Sequence, residues 1–223
     1  MSLKKAIGII VLVLLIDQIS KIYIKTNFVL GEEVEVFSWF KILFVENKGM
    51  AWGAEIPGSY GKLFLTLFRL FAITAIGYWL YDAVKKHSTR ILIIAISLIF
   101  AGALGNIIDS VFYGIIFNGS EGQLATFMPE SGGYAPVFHG HVVDMLHFPL
   151  IDSTWPEWVP WVGGDRLRFF APVFNIADSA ITVGVALLII FNKKAFPKKK
   201  KEDKNPETES EKASAEEEYT GIY

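Results

Sequence analysis

Long apolar runs alternate with polar connections along this chain and predict its main elements. Four of these runs are long enough to be membrane-spanning helices, because roughly 20 apolar residues cross a hydrocarbon layer of about 30 Å. The runs cover about 6–24, 63–81, 91–112 and 172–191. The first resembles a secretory signal peptide at its basic start, but polar residues and no small-residue cleavage pattern follow it. The pattern therefore predicts a mainly α-helical membrane protein with four transmembrane helices.

The connections between these runs differ in character. Residues 32–37 and 40–45 partly alternate and are rich in Val, Ile and Phe, which is typical of short strands. Backbone groups in lipid must be hydrogen-bonded within the protein, so we expect a small β-sheet, at about 28–53, on the membrane surface. A long connection rich in Gly, Pro and Trp follows at 113–170.

Charge sets the expected topology. Hydrophobic residues make up 52% of the chain, and basic residues cluster at the amino terminus, in the 82–90 loop and after the fourth run. Basic loops tend to stay in the cytoplasm, so we expect both termini there, with the sheet and the long loop extracytoplasmic. Residues 1–196 are expected to form one membrane domain, and the acidic, polar 197–223 a disordered cytoplasmic tail.

Polar residues inside the apolar runs gather near the predicted outer ends. Asp17 and Lys21 are four residues apart on the first helix, so an ion pair between them is expected. Asn106 and Asp109 are three apart and share a face of the third helix. With Asp178 in the fourth, separate segments deliver polar groups to one layer.

Asp178 needs a partner, because a carboxylate in a membrane-length apolar run is costly and indicates a functional site. Asp144, flanked by Val143 and Met145, is a candidate desolvated carboxyl. Two carboxyls in one apolar site do not both ionise readily, so one keeps its proton while the other acts as a base. That is the acid–base chemistry of an aspartic peptidase, which needs neither metal nor cofactor.

Two other functions use some of the same residues. One is a metal-dependent membrane hydrolase built on an H-x-H-x-x-D-x-x-H pattern with ligand types suited to zinc or iron. Its candidate ligands are His139, His141, Asp144 and His147. The other is a proton-coupled transporter with Asp17, Asp109 and Asp178 as a relay, although no internal repeat supports it.

Five short stretches, in order, carry a resemblance to a known family. They are 17–21 (DQISK), 47–53 (NKGMAWG), 105–109 (GNIID), 142–144 (VVD) and 174–181 (FNIADSAI). On these residues the chain resembles the bacterial lipoprotein signal peptidases, or signal peptidase II, from about residue 6 to 191.

The resemblance implies an endopeptidase of the bacterial inner membrane with its active site toward the periplasm. Such enzymes remove the signal peptide of diacylglyceryl-modified prolipoproteins on the amino side of the lipidated cysteine. It implies Asp144 and Asp178 as the catalytic pair. The residues it implies as supporting or substrate-binding are Asn47, Gly49, Asn106, Asp109, Asn175, Asp17 and Lys21. The expected partners are the lipid-modified substrate and membrane lipid, with no nucleic acid, metal or cofactor, and the expected state is a monomer.

The chain also departs from the family pattern. An arginine commonly follows the third-span aspartate, whereas Ser110 stands here, so Lys21 or another group is expected to replace it. Insertions at 117–138 and 149–170 exceed what the catalytic pair needs. We expect residues 47–53 and the 113–143 loop to close over substrate as lids.

Overall fold

The computed structural model describes residues 1–47, 61–149, 151–169 and 172–197. The helices are α1 Leu3–Asn27, α2 Gly61–Lys85, α3 Arg90–Ile108, α4 Gly114–Ile116, α5 Ile176–Ile190 and α6 Asn192–Ala195, with a π-helical segment Asp109–Tyr113 between α3 and α4. The strands are β1 Glu33–Phe37, β2 Phe40–Asn47, β3 Val142–His147, β4 Ile151–Thr154, β5 Arg166–Phe169 and β6 Val173–Phe174. Gly49, most of the predicted lid at 47–53 and the tail from 198 onward lie outside the described residues.

Three helices of the described chain are long and apolar enough to cross a membrane. They cover Leu3–Asn27, Leu63–Lys85 and Arg90–Ile116. Large apolar side chains stay exposed on their outer faces, for example Ile19 and Phe71 at 64% and 74%, as expected of helices surrounded by lipid. These features confirm a membrane-type fold with a small antiparallel sheet.

The start predicted for the fourth apolar helix is wrong. The helix does not begin at residue 172. The chain first forms β6 at Val173–Phe174, and α5 begins at Ile176. The reason is local, because the extended Asn175 caps the helix by accepting a hydrogen bond from the backbone N–H of Asp178 at 2.9 Å. The helix proper has 15 residues.

Helix α3 is the centre of the helical layer, packing against α1, α2 and α5. Its approach to α5 depends on small residues, as in many membrane helix pairs. A Cβ at Gly102 would collide with the carbonyl oxygen of Ala177. A Cβ at Gly105 would lie 2.7 Å from Oδ2 of Asp17, so this glycine lets a buried carboxylate of α1 sit against α3.

The main sheet combines distant parts of the chain. Its strands run in the order β1-β2-β3-β6, all antiparallel, with Val45 opposite Asp144. The sheet buries Phe44, Val143 and Met145 in one cluster with Ile24 at the end of α1. The segment around Asp144, which the sequence placed in the long connection, is therefore the third strand of the sheet. Strands β4 and β5 form a separate two-stranded sheet.

Candidate active site

A buried ion-pair cluster joins α1 to the end of α3. Lys21 Nζ lies 2.9 Å from Oδ2 of Asp17 and 2.9 Å from Oδ2 of Asp109, and all three side chains are inaccessible to solvent. The predicted pair at i and i+4 is thus present, and Lys21 also serves Asp109. Asp17 uses its other oxygen, Oδ1, to accept the backbone N–H of Ala177 at 2.9 Å, which fixes the start of α5 against α1.

Two amide side chains connect this cluster to the predicted carboxyl pair. Asn106 Oδ1 accepts from Lys21 Nζ at 2.9 Å, and its Nδ2 donates to Asp178 Oδ1 at 2.7 Å. Asn175 Nδ2 donates to Asn106 Oδ1 at 3.1 Å and to Asp144 Oδ1 at 2.7 Å. The predicted residues of α1, α3, β3 and α5 therefore form one continuous network.

Asp144 occupies the middle of β3 and is nearly buried, at 3% exposure. Burial and, second, the negative charge of Asp178 together raise the pKa of Asp144 from 3.8 to about 7, against the charge of Lys21 and hydrogen bonds from Asn47 and Asn175. Asn47, the last residue of β2, reaches Asp144 Oδ2 with its Nδ2 at 3.3 Å. Near neutral pH this carboxyl therefore holds a proton for part of the time.

The histidines do not gather around Asp144. Successive side chains of a strand point to opposite faces, so Asp144 faces away from Val143, Met145 and His147. His139 Nδ1 lies 3.0 Å from the Val137 carbonyl oxygen, His141 Nδ1 lies 2.9 Å from Glu46 Oε2, and His147 Nδ1 lies 3.5 Å from Glu33 Oε2. Across the described ranges, no group of three potential metal-ligating side chains occurs, so nothing supports the metal-dependent alternative.

A second polar cluster lies beside the site, and the sequence reasoning missed it. Lys25, one turn beyond Lys21 on α1, is buried and pairs with Glu46. Glu46 also accepts from Ser120 Oγ at 2.9 Å and contacts His141. Burial opposes the charge of Glu46, but hydrogen bonds from His141, Lys25 and Ser120 and the charge of Lys25 outweigh it and lower its pKa from 4.5 to about 2. The even spacing of Asp17, Lys21 and Lys25 is the signal that could have revealed it.

Gln18 is a further site residue not predicted as such. Its Nε2 donates to Asp109 Oδ1 at 2.9 Å, and its Oε1 accepts from the Tyr113 hydroxyl at 3.2 Å. Asp109 Oδ2 in addition accepts the backbone N–H of Val143 at 3.3 Å. Asp109 thereby links α1, the π-helical segment and β3.

Comparison with known proteins identifies the family. The family described as Signal peptidase (SPase) II matches residues 9–193. The chain belongs to the signal peptidase II family. It is 48% identical over 214 residues to a lipoprotein signal peptidase of Porphyromonas gingivalis, covering 91% of this chain and 93% of the relative. A lipoprotein signal peptidase of Amoebophilus asiaticus is 37% identical over 191 residues, covering 83% of this chain and 76% of the relative.

Solved structures agree with this assignment. A bacterial membrane enzyme solved by the in meso method at 2.3 Å superposes with a TM-score of 0.59 at 29% identity, covering 90% of this chain and 94% of that one. A second such structure, at 1.9 Å, gives a TM-score of 0.57 at 30% identity, covering 87% and 96%. The resemblance drawn from the five short stretches is thereby confirmed at the level of the signal peptidase II family.

Proposed function

We propose that this protein is an endopeptidase that cleaves the signal peptide from diacylglyceryl-modified prolipoproteins on the amino side of the lipidated cysteine. Membership of the signal peptidase II family supports this substrate class. The observation that carries the mechanism is the placement of Asp144 and Asp178 on one amide network, with Asn175 donating to Asp144 and accepting from the N–H of Asp178. Asp144 and Asp178 are the catalytic residues in this proposal.

The chemistry follows from one proton shared by two carboxyls. Asp178 as carboxylate takes a proton from a water molecule, whose oxygen bonds to the carbonyl carbon of the scissile peptide. Asp144 gives its proton to the carbonyl oxygen, producing a tetrahedral diol. The C–N bond then breaks as the amine nitrogen takes the proton from Asp178, and the diol returns one to Asp144. The raised pKa of Asp144 supports its role as the acid.

The supporting residues keep the two carboxyls in place. Lys21 pairs with both Asp17 and Asp109, while Asn106 and Asn175 donate hydrogen bonds to the proposed reacting carboxyls. Asn47 is the last residue of β2, where the proposed lid begins, and its side chain approaches Asp144. For Gly49, we retain the supporting or substrate-binding role that the family motif implies.

For the topology, we propose four membrane spans, both termini in the cytoplasm and the site toward the periplasmic side of the bacterial inner membrane. Three long apolar helices and the shorter apolar α5 support the span count. The polar contacts join the carboxyl-terminal parts of α1 and α3 to the amino-terminal end of α5, which is consistent with one polar layer at one end of the bundle. The membrane domain is residues 1–196, acting as a monomer in contact with lipid.

Paired substitutions test the catalytic assignment. Asp144→Asn and Asp178→Asn each keep the side-chain shape but remove the acid or the base, so each should abolish cleavage of a diacylated prolipoprotein peptide while thermal unfolding in detergent stays cooperative. His139→Ala, at a partly exposed histidine, is the matched control and should retain activity. Substantial turnover by either Asn variant would contradict the mechanism.

Chelation separates this mechanism from a metal-dependent one. Cleavage should persist in EDTA, because the proposed steps use only carboxyls and water. Inhibition by EDTA that is reversed by added zinc would favour the histidine-based hydrolase instead. A peptide lacking the diacylglyceryl group should be a poor substrate, and equal cleavage of both peptides would contradict the proposed substrate class.

A further inference from the structure

Arg69 is a charged residue in the middle of the apolar helix α2. It is half-buried, and its neighbours one turn away on either side, Thr66 and Ile73, are buried at 2% and 8% exposure. Arg69 therefore lies near the face of α2 that packs on α3 rather than on the lipid-facing side. An ionisable residue at such a position in a membrane helix indicates a functional contact.

The contacts of Arg69 lead to the carboxyl pair by two routes. Its Nη1 donates to Ser110 Oγ at 3.5 Å, and Ser110 in turn donates to the backbone carbonyl of Asn106 at 2.9 Å. The side chain of Asn106 holds Asp178. The opposite charges of Arg69 and Asp178 also attract each other across the site.

The π-helical segment makes this arrangement possible. Within Asp109–Tyr113, the buried residues include both Asp109, which meets Lys21 of α1, and Ser110, which meets Arg69 of α2. A π-helical turn changes the angular spacing of side chains, and such turns often occur at functional sites. Adjacent residues of one helix thus serve two different cations.

The charge distribution of the site gives Arg69 a distinct task. The salt bridges of Lys21 go to Asp17 and Asp109. Lys21 connects to Asp178 through the neutral amide of Asn106. Arg69 acts on Asp178 from the α2 side, so it supplies positive charge to the part of the site that Lys21 does not pair with.

We propose that Arg69 is a positioning residue that holds Asp178 as the carboxylate, so that the proton shared by the pair resides on Asp144. This inference rests on the proposed peptidase function and deepens it, because it assigns the base and the acid through a residue outside the family motifs. Ser110 orients the guanidinium, and its small side chain leaves room for Arg69 beside α3.

The charged groups around the pair come from every element of the site. They are Asp17 and Lys21 on α1, Arg69 on α2, Asp109 on the π-helical segment, and Asp144 and Asp178 themselves. Removing one cation from this set makes the pair hold its protons more tightly. The low-pH limb of the activity profile, where the base becomes protonated, should then move to higher pH.

The experiment measures kcat and KM of the full chain in detergent with a diacylated prolipoprotein peptide, over a pH range of about 5 to 9. Arg69→Gln should move the low-pH limb of kcat upward by about 1 pH unit. Its kcat on the acidic side should fall about tenfold, with a smaller change in KM. Arg69→Lys, which keeps the charge, should restore the limb. The matched control Arg90→Gln, at an exposed arginine where α3 begins, should match the unaltered protein.

A profile of Arg69→Gln that is lowered uniformly, with both limbs unmoved, would show a merely structural role and overturn the inference. If Arg69→Gln does not fold, Ser110→Ala decides: it should move the same limb upward by less, and an unmoved limb overturns the inference. The two failures are distinguishable. Activity in Asp144→Asn or Asp178→Asn contradicts the peptidase mechanism, whereas inactive Asn variants with an unmoved Arg69→Gln profile contradict only the role of Arg69.

Discussion

Asn175 is the side chain whose replacement tests the most about this site. It is fully buried, its Oδ1 caps α5, and its Nδ2 donates to Asp144 Oδ1 at 2.7 Å and to the Val143 carbonyl oxygen at 3.2 Å. Two substitutions separate these tasks. Asn175→Ser keeps a capping oxygen but lacks the amide donor, whereas Asn175→Ala lacks both.

The expected magnitudes follow from the two kinds of contact. Asp144 becomes a carboxylate when it gives its proton to the substrate, and a hydrogen bond to a charged group contributes about 1.5–3 kcal/mol. Each 1.36 kcal/mol changes a rate by about tenfold. Asn175→Ser should therefore lower kcat/KM by about 10- to 150-fold. Loss of an N-cap costs roughly 1 kcal/mol, so Asn175→Ala should also unfold about 2–4 °C lower than Asn175→Ser.

The assay combines cleavage of a diacylated prolipoprotein peptide with thermal unfolding in the same detergent. Both variants should be poor enzymes, and only the alanine variant should show the added loss of stability. If Asn175→Ser cleaves within about twofold of the unaltered protein, the amide does not position Asp144 and the reasoning fails. If the two variants unfold at the same temperature, the capping role is refuted.

Two further predictions concern buried charge outside the proposed catalytic pair. Glu46→Gln should lower the free energy of unfolding by about 3 kcal/mol above pH 4.5, because the pKa of Glu46 falls from 4.5 to about 2 on folding. In denaturant titrations, the difference in stability between this variant and the unaltered protein should vanish as the pH falls toward 2. Glu35→Gln, at an exposed site, is the control and should show no such difference. Lys21→Met should destabilise the protein by about 3–5 kcal/mol, because it leaves two buried carboxylates unpaired. Lys86→Met, which removes an exposed pair at the same helical spacing, should leave stability almost unchanged because solvent screens such pairs. Equal effects of the two changes would contradict the interpretation.

The helices were predictable because their signal is local. Long apolar runs identified α1, α2 and α3, and helical spacing was enough to pair Asp17 with Lys21 and to put Asn106 and Asp109 on one face. The cost of ionising two carboxyls in one apolar site then indicated Asp144 as the candidate partner of Asp178. All of these steps use neighbouring residues or elementary electrostatics.

The sheet was only half predictable because its pairings are non-local. β3 adds to β2 across almost a hundred residues of chain, and β6 adds to β3. A short segment such as Val142–His147, whose apolar residues do not alternate, does not by itself distinguish a third strand from a buried loop. The start of the fourth helix was predicted too early for the same reason, because the position of Asn175 as the N-cap of α5 depends on where β6 pairs.

The arrangement of amides between charges explains how so many ionisable groups coexist in one apolar layer. Asn106 must turn its oxygen toward the donor Lys21 and its nitrogen toward the acceptor Asp178, since an ammonium only donates and a carboxylate only accepts. Its orientation is therefore determined by the two neighbours. Such an amide connects the ion-pair cluster to Asp178 by hydrogen bonds without adding a charge. A carboxylate in its place would repel Asp178, and a lysine would compete with Lys21, so an amide is the side chain that serves both neighbours at once.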